Sequence, residues 1–179
     1  ILVLDKTGTI TIGTPEVVKE KIFKEFDKTL LYSLVSSSKH PVARGVAKYL
    51  KSNNPDIKNM PFDEFEQIPA HGIRGKTKDV ELLGGNLRLM NNNGIDVSYG
   101  SENTLFCVAF DKKIVAIYEL SDKIKEEAKE VIESISNYGV DVVMLTGDHE
   151  DIARRVSKEV GIENFIAQQA PQDKLKYIK

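Results

Sequence analysis

The sequence has one cysteine, almost no net charge and no apolar run approaching the length of a membrane helix. A lone thiol excludes an internal disulfide and agrees with a reducing compartment. Cys107 lies in TLFCVAF, where it alternates with Leu105 and Ala109 onto one strand face, so it reads as core packing. Lys and Arg number 25 against 27 Asp and Glu. With those charges spread along the chain, no basic surface for nucleic acid is indicated. A membrane helix needs about 20 apolar residues, and neither such a run nor a signal peptide is present. Repeats and low-complexity tracts are also missing. What remains is 179 residues, 41% hydrophobic and 29% charged, the balance of a folded domain with one good core or two small ones. The abrupt start inside a strand pattern, without Met, suggests a piece of a longer polypeptide.

Two textures alternate along the chain. Residues 1–4 predict a short, wholly buried strand of a parallel sheet, ending at Asp5 and turned by Gly8. From Ser121 onward the pattern is α/β. Ile124, Ala128, Val131, Ile132 and Ile135 recur at helical spacing, Gly139 closes that helix, and residues 140–145 form a second buried strand ending in Thr146, Gly147 and Asp148. A helix with the stripe Ile152, Val156 and Val160 follows, Gly161 stops it, NFIAQ predicts a third strand, and Pro171 opens a last helical segment. Between residues 14 and 119 the texture is α+β. Strands are predicted in PEVVKEKIF, GIRGKTK, VELLGG, TLFCVAFD and KIVAIYEL, with helices over about 27–38 and 42–52. NNPDIKNMP and NNNGIDVSYGSEN read as polar loops. The division is one domain from segments 1–13 and 120–179, interrupted by an inserted domain of residues 14–119.

Ligands of open α/β sheets collect at the carboxyl ends of strands, which is where Asp5 stands. A carboxylate can accept a phosphoryl group and hold it as an acyl phosphate, splitting one hard hydrolysis into two easier steps. Charge spreading over the phosphoryl oxygens then calls for a cation, a lysine and hydroxyl or N–H donors. The candidates are Lys6, Thr7, Gly8 and Thr9 beside Asp5, Thr146 and Gly147 after the second strand, and Lys174 near the end.

DKTGT followed by T resembles the phosphorylation motif of the P-type ATPases, ion pumps with a haloacid-dehalogenase-like catalytic core. The resemblance implies a Rossmannoid phosphorylation domain interrupted by an α+β nucleotide-binding domain with an antiparallel sheet. It implies that Asp5 is phosphorylated by ATP, that Asp5 and the Thr7 carbonyl bind Mg²⁺, that Thr146, Gly147 and Asp148 are the family's TGD, and that Asp173 and Lys174 form its phosphate-neutralising lysine motif. SSSKHPVA resembles SEHPLA of the heavy-metal subgroup, which implies that His40 packs on adenine. Gly72, Gly75, Gly85 and Asn86 complete that pocket by the same resemblance. Five features depart from the pattern. Val35 stands where a Glu meets the adenine amino group, Lys39 where a Glu precedes the His, and Ala70-His71-Gly72 where GxG is usual. Lys125 replaces an Arg three residues after the hinge Asp122, and the GDGxND motif is not reached. A fragment that binds ATP but turns it over weakly or not at all is therefore expected.

The function implied is that of the cytoplasmic ATP-binding and phosphorylation loop of a heavy-metal pump. Hinge motion would bring the γ-phosphate to Asp5. Copper is ranked before zinc, cadmium or cobalt. The partners implied are ATP, the pump's own membrane and actuator domains and a metal chaperone, without nucleic acid. The alternatives are a soluble phosphatase of the same superfamily, with the insert as a cap, and a nucleotide-sensing module without catalysis.

Overall fold

The computed structural model describes residues 1–169 and residue 173. The chain divides into two compact units, one made of Ile1–Thr14 with Asp122–Lys179 and the other of Pro15–Ser121. Strand β1 (Leu2–Asp5) opens the first unit.

The second unit comprises β2 (Glu16–Ile22), α1 (Lys28–Ser36), α2 (Pro41–Asn53), β3 (Glu64–Ile68), β4 (Gly72–Lys76), β5 (Glu81–Gly85), α3 (Leu87–Asn92), β6 (Thr104–Phe110) and β7 (Lys113–Ser121). All six strands pair antiparallel in the order β2-β7-β6-β5-β4-β3. Successive strand residues point to opposite faces, and β6 divides accordingly. Phe106 and Val108 join Leu31, Leu34 and Val35 of α1 and Val46 and Leu50 of α2. Cys107 and Ala109 join Leu89 and Met90 of α3 on the other face. Burial pushes the Cys107 thiol up to about 12, so it stays protonated and unreactive at neutral pH. Helix α1 starts where Asp27 Oδ1 accepts the Thr29 N–H at 2.8 Å, and α2 starts with Pro41 behind His40, both ordinary helix openings.

Sequence patterning misses two elements here. Strand β3 is an edge strand whose residues Glu64 to Gln67 are exposed, so it carries no apolar alternation. Helix α3 has only six residues and is fixed by a cap, Asn86 Oδ1 accepting the Leu89 N–H at 2.9 Å. The stretch NNNGIDVSYGSEN is also more ordered than a polar loop. Residues 95, 97, 99, 101 and 103 turn inward while 96, 98, 100 and 102 are exposed, the period of an extended strand. Tyr99, Ser101 (2.6 Å) and Asn103 (3.1 Å) donate to the buried carboxylate of Glu119 on β7, with Lys19 Nζ at 3.3 Å.

The first unit resumes with α4 (Ala128–Asn137), β8 (Val142–Leu145), α5 (Glu150–Val160) and β9 (Asn164–Ile166). Its described sheet is parallel in the order β1-β8-β9. Ile132 of α4 and Ala153, Val156 and Val160 of α5 form one core with Ile10, Val142 and Met144. Gly161 takes a left-handed φ of 81° and ends α5, a conformation glycine adopts without steric cost. Three expectations need correction. Strand β1 is half-buried and Ile1 is 87% exposed, since β1 pairs on one side only among the described residues. Ile124 precedes α4 and forms a bridge with Thr11. Val131 is 50% exposed, so it lies off the buried stripe. Where the chain leaves and re-enters this unit, Asp122 accepts from Thr11 Oγ1 at 2.6 Å and from the Gly13 N–H at 3.0 Å. Among the described residues no helix is long and apolar enough to cross a membrane.

Candidate functional site

Parallel pairing sets Asp5 level with Leu145, so the carboxyl ends of β1 and β8 bring Asp5 beside Thr146, Gly147 and Asp148. The loop after Asp5 is closed by two bonds to one carbonyl. Lys6 O accepts the Thr11 N–H at 3.0 Å and Thr11 Oγ1 at 3.2 Å. Gly8 supplies the positive φ of 77° that this loop requires. Asp5, Thr7, Gly8 and Thr9 are exposed, whereas Lys6 is buried.

The Lys6 side chain turns inward to an ion pair, with Nζ 2.7 Å from Asp148 Oδ2. The same oxygen accepts from Thr146 Oγ1 at 2.7 Å, and that hydroxyl accepts the Asp148 N–H at 3.1 Å. An unpaired Asp148 would repel an anionic substrate at this end of the sheet, and the buried ammonium cancels that repulsion. Lys6 is thus the electrostatic partner of Asp148, a pairing no local motif announces. Lys125 Nζ donates to Gly8 O at 3.1 Å, one bond to the loop from a point charge rather than a planar fork. Gly147 is exposed, and a Cβ there would meet only Gln169 O at 3.3 Å. Asp173 is helical, and Lys174 lies outside the described residues.

Mg²⁺ takes six oxygens in near-octahedral geometry. Among the described residues no group of three or more His, Cys, Asp or Glu side chains could hold a metal. Asp5 and the Thr7 carbonyl offer two donors, and Asp148 is engaged by Lys6 and Thr146. The described residues do not make a magnesium site by themselves.

The second group of candidates lies wholly in the second unit. His40 is the N-cap of α2, its Nδ1 accepting the Val42 N–H at 3.3 Å. That bond fixes the proton on Nε2 in the neutral ring. His40 is an exposed residue by surface area, and partial desolvation of its ring lowers the imidazole pKa from its ordinary value, toward the neutral form. Ser38 Oγ accepts from the His40 N–H at 3.2 Å and from Gln67 Nε2 on β3 at 3.2 Å, tying the α1–α2 connection to the end of β3. The β3–β4 turn follows at once. The His71 N–H donates to Ile68 O at 3.0 Å, Pro69 comes first inside the turn, and Ala70 has φ 62°. This is the type II pattern, whose third position favours glycine. The backbone thus keeps the shape of a glycine at the position where GxG has lost one.

Gly72 and Gly85 permit close approach of two backbones. A Cβ at Gly72 would lie 2.2 Å from Gly84 O, and one at Gly85 2.2 Å from His71 O. Gly75 sits beneath α1, where a Cβ would lie 2.8 Å from Leu34 Cδ1 and from the Phe62 ring. Packing against backbone therefore already requires Gly72 and Gly85, while at Gly75 the side chains of Leu34 and Phe62 would have to shift. The Asn86 amide is likewise committed, Nδ2 donating to Ala70 O at 3.0 Å and Oδ1 capping α3. Val35 is fully buried in the core. His40, the 69–72 turn and the β5–α3 junction are nonetheless joined through Ser38, Gln67 and Asn86.

Residues 1–179 match the family described as haloacid dehalogenase-like hydrolase. A copper-exporting P-type ATPase of Staphylococcus epidermidis is 36% identical over 97% of this chain, and a copper-transporting ATPase of Oryza sativa subsp. japonica is 32% identical over 99%. The chain spans 23% and 19% of the length of these curated relatives. The solved catalytic domain of the CPx-ATPase CopB-B, described as changing conformation upon nucleotide binding, superposes with a TM-score of 0.77 at 27% identity. That match covers 99% of this chain and 64% of the other. A zinc-transporting PIB-type ATPase shares the fold, with a TM-score of 0.62 at 23% identity over 99% of this chain and 30% of that one.

Proposed function

The chain belongs to the haloacid dehalogenase-like hydrolase family, and on that premise we propose that it is the ATP-binding and phosphorylation part of a heavy-metal P-type ATPase. Asp5 is the group that is phosphorylated. One observation carries this reading: an exposed aspartate at the carboxyl end of β1, beside a Thr146-Gly147-Asp148 turn whose negative charge is cancelled by buried Lys6.

In the chemical step a carboxylate oxygen of Asp5 attacks the γ-phosphorus of ATP. The bond from that phosphorus to the β–γ bridging oxygen breaks, and ADP leaves with the electron pair. Water then hydrolyses the acyl phosphate, returning the carboxylate and inorganic phosphate. Lys6 and Asp148 keep the strand ends electrically neutral, and the bonds from Thr11 to Lys6 O and from Lys125 to Gly8 O hold the loop that presents Asp5. Mg²⁺ would enter with the nucleotide, Asp5 and Thr7 giving two of its oxygens. In the second unit His40, Gly72, Gly75, Gly85 and Asn86 belong to the adenine site. His40 offers its ring face, while the glycines and Asn86 shape the backbone around it.

Copper is proposed as the ion because relatives of more than 30% identity are named for it. The same proposal makes this chain a cytoplasmic loop of an integral membrane protein, working with that protein's membrane and actuator parts and a metal chaperone.

The test is single-turnover labelling with γ-labelled ATP and Mg²⁺ followed by an acid quench. Within a longer polypeptide that supplies the remaining Mg²⁺ ligands, Asp5 should carry a hydroxylamine-labile label and Asp5→Asn none, whereas the 179-residue chain by itself should label weakly or not at all. Equal label on Asp5→Asn would refute the assignment.

A further inference from the structure

Among the described residues two buried side-chain nitrogens lack a hydrogen-bond partner, His71 Nδ1 and Arg74 Nε. The guanidinium has a charge partner in Glu81 Oε1, 3.4 Å from Nε, and its Nη2 donates to Asn93 Oδ1 at 3.1 Å. His71 Nδ1 has no such compensation. A buried polar atom left unsatisfied costs about 1–3 kcal/mol, and native structures retain few of them. An orphan on the turn that the proposed adenine site uses therefore points to a partner arriving from outside the chain.

The neighbouring polar groups are already engaged. Each end of the Asn86 amide makes a bond inside the protein, which fixes its orientation and leaves one N–H and one lone pair over. His40 Nδ1 is occupied by the Val42 N–H, which leaves its ring face and Nε2. Val35 is apolar and sealed in the core, so nothing at position 35 meets a ligand. His71 is held by its backbone on both sides, its N–H donating to Ile68 O and its C=O accepting from the Asn86 N–H, each at 3.0 Å. Nδ1 is covered as the structure stands, so a contact with a ligand requires the ring to turn about its two side-chain torsions while the backbone stays fixed.

We infer that His71 Nδ1 reads the edge of the bound purine by accepting a hydrogen bond from the 6-amino group of adenine. The inference rests on the nucleotide reading above. With the proton on Nε2, Nδ1 is an acceptor, which matches an exocyclic amine and opposes the 6-oxo acceptor of guanine. His71 is then a specificity-determining contact, supplying what a carboxylate at position 35 would otherwise supply.

The test is calorimetric titration of the 179-residue chain with ATP, GTP and the triphosphate of purine riboside, which has no 6-substituent. His71→Ala should weaken ATP about tenfold, the value of one hydrogen bond, and leave the 6-unsubstituted triphosphate unchanged. His71→Asn, which keeps a polar atom near the Nδ1 position, should restore most of the loss. His71→Gln, whose polar atoms reach toward the Nε2 position, should not. Unchanged ATP affinity in His71→Ala, or equal losses for ATP and the 6-unsubstituted analogue, overturns the inference. If His71→Ala does not fold, the Asn and Gln variants decide by the same comparison. His40→Ala separates the two levels. Binding that depends on His40 but not on His71 defeats this inference alone, whereas wild type that binds no nucleotide, or binding indifferent to both residues, defeats the nucleotide reading and this inference with it.

Discussion

Glu119 offers the sharpest test of the forces in the second unit. Its carboxylate is 6% exposed, so burial alone would raise its pKa. Hydrogen bonds from Ser101, Tyr99, Asn103 and Lys19 outweigh that and hold it at about 2, against 4.5 for an ordinary glutamate. Such a depression corresponds to a ceiling of about 3 kcal/mol at neutral pH. Lys19 is 63% exposed, and solvent screens its share, so about 2 kcal/mol is expected. A carboxyl whose pKa is depressed in the native state stabilises above its unfolded value, and the stabilisation is lost as pH falls from about 4.5 toward about 2. The assay is urea unfolding of wild type and Glu119→Gln at pH 7, 4 and 3. The variant should be weaker by about 2 kcal/mol at pH 7, and the gap should narrow at each lower pH. A gap that stays constant from pH 7 to 3 would refute the charge-based account and leave only shape. An absent gap at pH 7 would refute the stabilisation itself.

Two further changes test the turn and the strand ends. Ala70→Gly relieves a left-handed residue and should raise unfolding stability by about 1 kcal/mol, the left-handed penalty less the added freedom of glycine in the unfolded chain. A measured loss would mean that the turn does not hold that φ in solution. Lys6→Met removes the partner of Asp148 and should cost about 2 kcal/mol. This is less than for a fully buried pair, because Asp148 keeps 23% of its side-chain surface in water and retains the bond from Thr146. The double variant Lys6→Met with Asp148→Asn should recover part of that loss in the same denaturation assay, since neither charge then remains.

What could be read in advance follows the range of the interaction. The alternation in TLFCVAF and KIVAIYEL, the stripe of α5 and its stop at Gly161 are local patterns, and they predict β6, β7 and α5 closely. Strand β3 has no apolar alternation because one edge and most of its side chains face solvent, so pairing with β4 rather than composition makes it a strand. The extended segment from Ile95 to Asn103 did carry a signal, a period of two in which every second residue is apolar or hydrogen-bonding. Its polar composition masked that period, since Ser101 and Asn103 are inward residues only because Glu119 waits for them. The Lys6–Asp148 pair joins two strand ends far apart in sequence, and only the parallel register of β1 with β8 brings them together.

The departures from the heavy-metal pattern have different physical standing. Ala70 changes the residue but not the path of the backbone, which keeps a positive φ and so keeps the turn that carries His71. Lys125 keeps a cation against the loop after Asp5, with one bond to Gly8 O and none of the planarity an arginine would add. Val35 is different in kind, because a residue with no accessible surface inside the α1–α2 core cannot be exchanged for a carboxylate without burying a charge, which costs several kcal/mol. Position 35 is therefore closed to ligand in this packing. Among the described residues, the 69–72 turn holds a buried nitrogen without a partner, and at the start of α2 the His40 ring keeps Nε2 outside its capping bond.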